Sequence, residues 1–242
     1  MSRDSPSDIE VNQRFYDGMW SRARLVEPQR FNTWPVVRDL VASAPRRLEV
    51  APGLRPRLPV EGTHFVDISA PALRKLQPRA ASVRQASITA LPFADSSFDL
   101  VCAFDVVEHV DDEAATFREI SRVCASGGTL LLSVPLHPAQ WTAFDDFVGH
   151  QRRYEPQRLA DLLAGQGFHV ERSAVHGMQP QSSWLLDFGM WGLTHRRKQA
   201  MWLYNRVLMP LGLKFQKKLE LQPGMIDTRG VDTVLLVCRK AG

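Results

Sequence analysis

Short apolar runs alternate with segments of helical period along the chain. Five runs predict buried strands, at 47–51, 64–68, 82–86, 98–104 and 129–134. Between them, residues 70–76 and 113–123 repeat apolar side chains on one helical face. Because strands alternate with helices, the pattern predicts a parallel sheet with right-handed crossovers.

The pattern continues on both sides of this region. We expect a helix at 158–164, which Pro156 starts and Gly165 ends, and two last strands at 168–175 and 231–238. The glycine pair Gly127-Gly128 is expected to close the helix over 113–123. Upstream, residues 9–44 mix aromatic and aliphatic side chains at helical spacing, which predicts helices against an edge of the sheet.

One connection, residues 181–225, is far longer than most connections in compact domains and must have structure of its own. It is also the most aromatic part of the chain. The favoured interpretation is a helical cap that packs on the sheet. Two alternatives add that the cap lines an apolar acceptor pocket, or that it contacts a membrane surface through its basic residues.

Composition narrows the class of protein. The chain has 242 residues, 44% hydrophobic and 23% charged, which favours one globular α/β domain. Its net charge of +4 is spread along the sequence, so we expect no nucleic-acid partner. There is no CxxC pair, no apolar leader after Met1 and no apolar run of membrane-spanning length, so the expected location is the cytoplasm.

The turn after the first strand is the first candidate for ligand binding. Glu49 stands near the strand end, and Ala51 and Gly53 follow in a turn of small residues. An open α/β sheet receives nucleotide-like ligands at this place. The GxGxxG fingerprint of dinucleotide folds is absent, which disfavours an NAD-dependent dehydrogenase.

The second strand ends at Asp67. A carboxylate at that strand end is placed to accept hydrogen bonds from the two hydroxyls of a ribose, and we predict this contact. The alternative is a helix N-cap, for which Ser69 is the better candidate.

Further along, the chain reads QASITALPF at 85–93, SFDLV at 97–101 and FDVVEHV at 104–110. With the turn at Glu49 and Asp67, these segments resemble the class I S-adenosylmethionine-dependent methyltransferase family, of the type 11 kind. The resemblance implies a Rossmann-like, doubly wound sheet of seven mostly parallel strands with an antiparallel last strand and a helical insert. It also implies S-adenosylmethionine (SAM) as cofactor, with these contacts: Glu49, Ala51, Gly53, Asp67, Ile68, Ser87, Ile88, Phe104 and Asp105.

Three positions depart from the family pattern. Ala51 and Arg55 stand where glycines are expected, and Ser87 stands where an aspartate usually meets the adenine amino group. A branch of the family links two acids and a histidine at the spacing of Asp105, Glu108 and His109 to a divalent metal, for which magnesium would suit the oxygen ligands. The favoured interpretation has no metal.

The family resemblance extends to a GHQRRY segment at 149–154. His137 and His150 are the candidate general bases, because imidazole titrates near neutral pH. The alternative is that the histidine anchors its loop to Asp145 or Asp146. Arg152 and Arg153 would suit a phosphate or carboxylate on the acceptor.

The sequence therefore predicts one methyltransferase domain, with an N-terminal helical segment at 1–45, a SAM-binding core at 46–178, a cap at 179–228 and a final strand at 229–242. The acceptor is expected to be a small molecule, partly apolar, or a lipid- or sugar-linked one. Peripheral membrane contact is an open alternative. A different class of protein, a catalytically silent methyltransferase-like binding module, also fits the altered loop. Neither acceptor identity nor oligomeric state can be read from the sequence.

Overall fold

The structure, a computed structural model, describes residues 8–177 and 183–242. Its centre is one sheet of eight strands. In chain order the strands are β1 Arg47–Val50, β2 Thr63–Asp67, β3 Ser82–Gln85, β4 Phe98–Phe104, β5 Cys124–Pro135, β6 Phe168–His176, β7 Gln222–Pro223 and β8 Thr233–Lys240.

The sheet has the strand order β3-β2-β1-β4-β5-β8-β6-β7. Strands β1 to β5 pair in parallel, while β8 lies antiparallel between β5 and β6. This arrangement confirms the predicted fold class and the antiparallel last strand. It adds an eighth strand to the seven expected, since the two-residue β7 pairs with Arg172 and Ser173 at the sheet edge.

Helices flank the sheet on both faces. They are α1 Asp8–Trp20, α2 Trp34–Ala42, α3 Ala70–Leu76, α4 Glu113–Val123, α5 Ala143–Val148, α6 Pro156–Gly165, α7 Ser183–His195, α8 Arg197–Leu203 and α9 Met209–Lys214. A π-type turn, Tyr204–Leu208, joins α8 to α9. Among the described residues, no helix has both the length and the apolar character needed to cross a membrane.

The N-terminal segment packs differently from the expectation of an edge contact. Val36, Val37 and Leu40 of α2 lie in one cluster with residues of β4, β5 and β8, which are central strands. The edge prediction was therefore wrong for α2, because its apolar side covers the middle of the sheet. Residues 1–7 and 178–182, which include the expected start of the cap, lie outside the described residues.

Helix α4 shows how local sequence sets the boundaries. The Asp112 side chain accepts a hydrogen bond from the Ala115 amide at 2.8 Å and caps the helix, and Phe117 and Ile120 bury its apolar face. The helix ends at Val123, before the glycine pair. The predicted glycine cap was wrong, since Gly127 and Gly128 lie inside β5, where its register against β4 shifts.

The crossover from β1 to β2, residues 51–62, contains no helix, although parallel strands are usually joined by one. Three prolines stand in this stretch. Leu54, Leu58 and Val60 are fully buried and fill the space beside the sheet. An extended loop therefore runs past the carboxyl ends of the strands, where the cavity described next is found.

Candidate functional site

A cavity of about 400 Å³ opens at the carboxyl ends of β1, β2 and β4. Its volume lies within the range of small-molecule pockets. Eight of the nine residues predicted to contact the cofactor line it: Glu49, Ala51, Asp67, Ile68, Ser87, Ile88, Phe104 and Asp105. Parallel strands bring these distant residues together because their ends share one edge of the sheet.

Gly53, the ninth residue, is not among the residues that line this cavity. Its amide donates a hydrogen bond to Asp67 Oδ2 at 2.9 Å. Its backbone has a φ of 52°, and a Cβ atom there would lie 2.2 Å from the ring of Trp20. Glycine is thus required both by the left-handed backbone and by the close approach of the indole.

Ala51 has the same left-handed backbone, with a φ of 52°. The glycine expected from the family would adopt this conformation without steric cost, whereas a Cβ makes it unfavourable. Ala51 therefore holds the left-handed conformation that a glycine at this position would adopt more readily.

Asp67 is buried, and its two oxygens accept backbone hydrogen bonds from Gly53 and from Ser69, the latter at 2.8 Å. Burial raises its pKa to about 6, against the lowering effect of these hydrogen bonds. Each oxygen has a second lone pair, so the carboxylate retains acceptor capacity for a ligand in the cavity.

Glu49 also holds the crossover loop. Its Oε1 accepts from the Arg57 amide at 2.8 Å and its Oε2 from the Leu58 amide at 2.9 Å. Burial raises its pKa to about 7. Glu49 lines the cavity, but these contacts show that it also fixes the loop.

On the side predicted for adenine, Ile68 and Ile88 line the cavity together with Ser87. The Ser87 hydroxyl lies 2.8 Å from the Thr89 hydroxyl and accepts from the Thr89 amide at 3.2 Å. This wall of the cavity is apolar with one hydroxyl, and it lacks the carboxylate that the family pattern places there.

The end of β4 supplies the opposite wall. Asp105 accepts a hydrogen bond from the Ser133 hydroxyl at 2.7 Å and has a φ of 49°, which aspartate tolerates better than most residues. His176, at the end of β6, stacks edge-on against Phe104. Burial lowers the pKa of His176 to about 4, so its ring is neutral near pH 7.

Arg55, which stands where the family has a glycine, does not fill the cavity. Its guanidinium instead lies 5.5 Å from the Tyr204 ring centroid and 5.6 Å from that of Trp20, and it donates to the Arg24 carbonyl at 2.6 Å. The side chain binds the loop to α1 and the cap, and the cavity beside it stays open.

Besides Arg55 and His109, the cavity wall contains five aromatic or cationic side chains that were not among the predicted contacts: Tyr16, Trp20, Arg57, Phe144 and Tyr204. Tyr16 and Trp20 are four residues apart on α1 and their rings stack. That spacing was a usable signal for one helical face. Nothing local in the sequence marks Tyr204 or Arg57, since only tertiary packing brings them to the strand ends.

His150 and His109 form a partly buried pair, with ring centroids 4.6 Å apart. His150 Nδ1 donates to Asp145 Oδ1 at 2.8 Å, while His109 Nδ1 donates to the Gly149 carbonyl at 3.2 Å. His109 lines the cavity and its Nε2 lies 3.4 Å from the Tyr16 hydroxyl. His150 is not part of the lining and lies behind His109.

His137, the other candidate base, is not among the residues that line the cavity. Its Nε2 donates to the Thr228 carbonyl at 2.7 Å, and its backbone φ is 58°. The contact joins the loop after β5 to the segment before β8. A catalytic role for His137 therefore stays a prediction without support from the geometry.

Arg152 and Arg153, the two arginines that follow His150, donate hydrogen bonds within the protein. Arg153 is buried and donates to Asp145 at 2.9 Å and to Asp232 at 2.7 Å, and Arg152 donates to the carbonyls of Val110 and Asp111. Neither arginine lines the cavity and both anchor the loop, so binding of a charged group on the acceptor stays a prediction without support from the geometry. The anchoring interpretation, through Asp145, is what the structure shows.

For a metal, the described residues offer one cluster, in which ligand atoms of Glu108, His109 and His150 lie within 4.8 Å of one another. Neither oxygen of Glu108 has a hydrogen-bond partner within the described chain. His150 takes the place that the sequence interpretation gave to Asp105.

Comparison with known proteins fits this geometry. A family model described as a methyltransferase domain matches residues 54–132. The uncharacterized protein YafE of Escherichia coli is 33% identical over 146 residues, which cover 57% of this chain and 68% of YafE. The chain belongs to the class I S-adenosylmethionine-dependent methyltransferase family. The resemblance inferred from the sequence is confirmed.

Other members of this methyltransferase family are similar over part of their length. A probable S-adenosylmethionine-dependent methyltransferase of Mycolicibacterium smegmatis is 31% identical over 137 residues, which cover 55% of this chain and 48% of that protein. The chain thus matches about half the length of that relative. Among solved structures, a SAM-dependent methyltransferase from Thermotoga maritima superposes on this chain with a TM-score of 0.57 at 15% sequence identity. The superposition covers 96% of this chain and 92% of the Thermotoga maritima chain, and at this identity it shows similarity of fold alone.

Proposed function

We propose that this chain binds SAM at the ends of β1, β2 and β4 and transfers its methyl group to a small-molecule acceptor. The observation that carries the proposal is the buried carboxylate of Asp67 at the wall of a cavity of about 400 Å³. A ribose would donate to that carboxylate, and Ile68 and Ile88 would pack on the adenine.

The residues present fit the cofactor. The apolar adenine side, the carboxylate at the second strand and the open cavity beside Arg55 together match what a nucleoside needs. When bound, the sulfonium of SAM supplies an electrophilic methyl group. The protein's tasks are then to align the acceptor with that methyl and to exclude water.

The walls of the cavity indicate the class of acceptor. Tyr16, Trp20 and Tyr204 form an aromatic wall at its cap side, so we infer a partly apolar acceptor. A lipid-linked or sugar-linked molecule with an apolar part fits this description, and a nucleic acid does not enter the proposal. For the domain we propose the division predicted from the sequence: an N-terminal helical segment at 1–45, a cofactor core at 46–178, a cap at 179–228 and a last strand at 229–242.

For an acceptor that must lose a proton, His109 is the imidazole at the cavity. Its Nδ1–H is fixed by the Gly149 carbonyl, so Nε2 carries the lone pair that faces Tyr16. Burial lowers its pKa to about 4, which keeps the ring neutral. His150 acts as a positioning residue behind it, while His137 remains a candidate from sequence alone.

Titration calorimetry with S-adenosylhomocysteine (SAH) tests the cofactor proposal. We expect a dissociation constant in the micromolar range for the intact chain. Incubation with methyl-labelled SAM and a panel of apolar hydroxyl and amine acceptors then tests transfer. Absence of heat at millimolar SAH would replace the enzyme by the catalytically silent module, for which the substitutions at Ala51, Arg55 and Ser87 are the supporting observation.

A further inference from the structure

Helix α7 has two faces of different character. Leu193 packs in a cluster with Met201 and Leu54, and Gly192 faces Ala200 of α8. The opposite face carries Trp184, Phe188 and Trp191. At 100° per residue these three positions fall within an arc of about 60°, with Leu193 about 180° from Trp184.

The outward face is aromatic and open to solvent. Trp184, Phe188 and Trp191 are 68%, 50% and 51% exposed, and their rings stack in sequence along the helix. Trp202 of α8 and Phe215 after α9 are also exposed. Monomeric soluble proteins rarely show such a contiguous apolar surface unless it binds something.

The segment with this face is strongly basic. Residues 183–220 contain seven lysines and arginines and two acids, a net charge of +5, whereas the whole chain carries +4. Six of the basic residues are exposed: Arg196, Lys198, Arg206, Lys214, Lys217 and Lys218. Within the described part of the chain, none of the six forms an ion pair.

We propose that the face of α7 formed by Trp184, Phe188 and Trp191, with the basic residues of 196–218, docks on an anionic lipid bilayer. Exposed tryptophans beside lysine and arginine are the composition of helices that lie in the membrane interface. Indole rings favour the boundary between headgroups and acyl chains, and the basic groups pair with anionic headgroups. Docking is peripheral.

The basic charge of residues 183–220 favours an anionic bilayer over a second copy of this chain as the occupant of this face. A second copy of this chain would present the same basic segment, and the two would repel each other. The docking segment also contributes to the cavity, because Tyr204 in the turn between α8 and α9 lines it. The lipid surface and the proposed acceptor pocket therefore share one structural element.

The test is co-sedimentation of the full chain with vesicles of phosphatidylcholine alone and of phosphatidylcholine with phosphatidylglycerol as a quarter of the lipid. We expect binding to the anionic vesicles, at least about tenfold weaker binding to the neutral ones, and loss of binding at high salt. No binding to anionic vesicles overturns the proposal.

Variants locate the contact. Trp191→Ser and the paired change Lys217→Glu with Lys218→Glu should each lower the partition coefficient about tenfold or more. Trp141→Ser and Arg38→Glu, which change exposed residues elsewhere, are the matched controls and should bind as the parent does. Equal binding by Trp191→Ser and by its control overturns the assignment to α7.

Two further measurements keep the outcomes distinct. An unchanged circular dichroism spectrum shows that each variant is folded. This measurement does not depend on the proposed function. Sedimentation velocity without lipid tests the alternative occupant. A dimer of the parent chain that Trp191→Ser dissociates, with no vesicle binding by either, would assign this face to a second copy and overturn the membrane proposal.

Discussion

The amide of Gly53 donates a hydrogen bond to the carboxylate of Asp67 at 2.9 Å, so the residue expected to hold a ribose also holds the loop after β1. Cofactor binding and loop conformation are thereby joined in one side chain. A ligand that binds Asp67 meets a carboxylate whose orientation two backbone amides have already fixed.

Substitution of Asp67 tests its place in the site. Asp67→Ala removes the acceptor for the ribose hydroxyls and should weaken SAH binding roughly 10- to 100-fold, as expected for the loss of hydrogen bonds to a charged group. Calorimetric titration measures the effect. Asp39→Ala, at an exposed aspartate on α2, is the control and should bind as the parent does. Unchanged affinity in Asp67→Ala would remove this residue from the site.

The affinity for SAH should depend on pH through the same group. Burial raises the pKa of Asp67 to about 6, with Asp17 adding a smaller effect in the same direction. Ribose hydroxyls donate to the ionised form, so binding strengthens as pH rises through 6 and is lost as pH falls. Well below the transition, each pH unit should cost up to about tenfold in affinity.

Two variants isolate this titration. Asp67→Asn has no ionisable group at the position and should bind weakly with a flat profile between about pH 5 and 7. Glu49, which lines the cavity with a pKa raised to about 7 by burial, is the other acid that titrates nearby. If Glu49→Gln abolishes the pH dependence and Asp67→Asn preserves it, the assignment to Asp67 is wrong.

The sequence located the sheet well because its signals are local. The boundaries of β4, α3 and α4 agree with the apolar patterns, and Asp67 and Asp105 lie at strand ends where the alternation placed them. Parallel topology then brings those ends to one edge without further information. Eight predicted contacts thus share one cavity although they are spread from residue 49 to 105.

The parts that were missed depend on distant packing. Tyr204 reaches the cavity because the cap folds back over Arg55, and His176 contacts Phe104 although β5 and β8 separate their two strands in the sheet. The prediction that Gly127 and Gly128 cap α4 was wrong because both glycines lie in a stretch of β5 where the register against β4 shifts. The connection between β1 and β2 contains Pro52, Pro56 and Pro59. Because proline disrupts a helix interior, these residues were a local signal that no helix forms there.

Gly53 should not tolerate a larger side chain. Gly53→Ala places a Cβ 2.2 Å from the Trp20 ring on a backbone with a φ of 52°. Left-handed strain and overpacking together predict a loss of about 2–4 kcal/mol in the free energy of unfolding. Urea denaturation measures it. Adding Trp20→Ala should relieve the steric part alone, so a double variant with additive losses would contradict the contact.

Substitution of Ala51 by glycine should change the free energy of unfolding in the opposite direction. Its φ of 52° is costly for any residue with a Cβ, and the cost exceeds what glycine adds to the entropy of the unfolded chain. Ala51→Gly should therefore raise the free energy of unfolding by about 0.5–1 kcal/mol. Ala94→Gly, in an exposed loop with ordinary backbone angles, is the control and should not stabilise. Destabilisation by Ala51→Gly would refute the left-handed conformation.

Arg153 links the loop after α5 to the last strand. Its guanidinium is buried between Asp145, which is itself fully buried, and Asp232 next to β8. Arg153→Ala would leave the Asp145 carboxylate without its cationic partner, although the Thr142 hydroxyl and His150 still donate to it. Removing one member of a buried pair is expected to cost about 3–5 kcal/mol of unfolding free energy.

The exposed pair of Arg229 and Asp227 gives the matched control for Arg153, since its arginine is 91% exposed. Arg229→Ala should change the unfolding free energy by less than about 1 kcal/mol, because solvent screens the pair. Denaturant midpoints of both variants decide the point. Similar small losses in the two would mean that Arg153 is solvated in solution, and the loop that carries His150 would then lack the anchor on which the position of His109 depends.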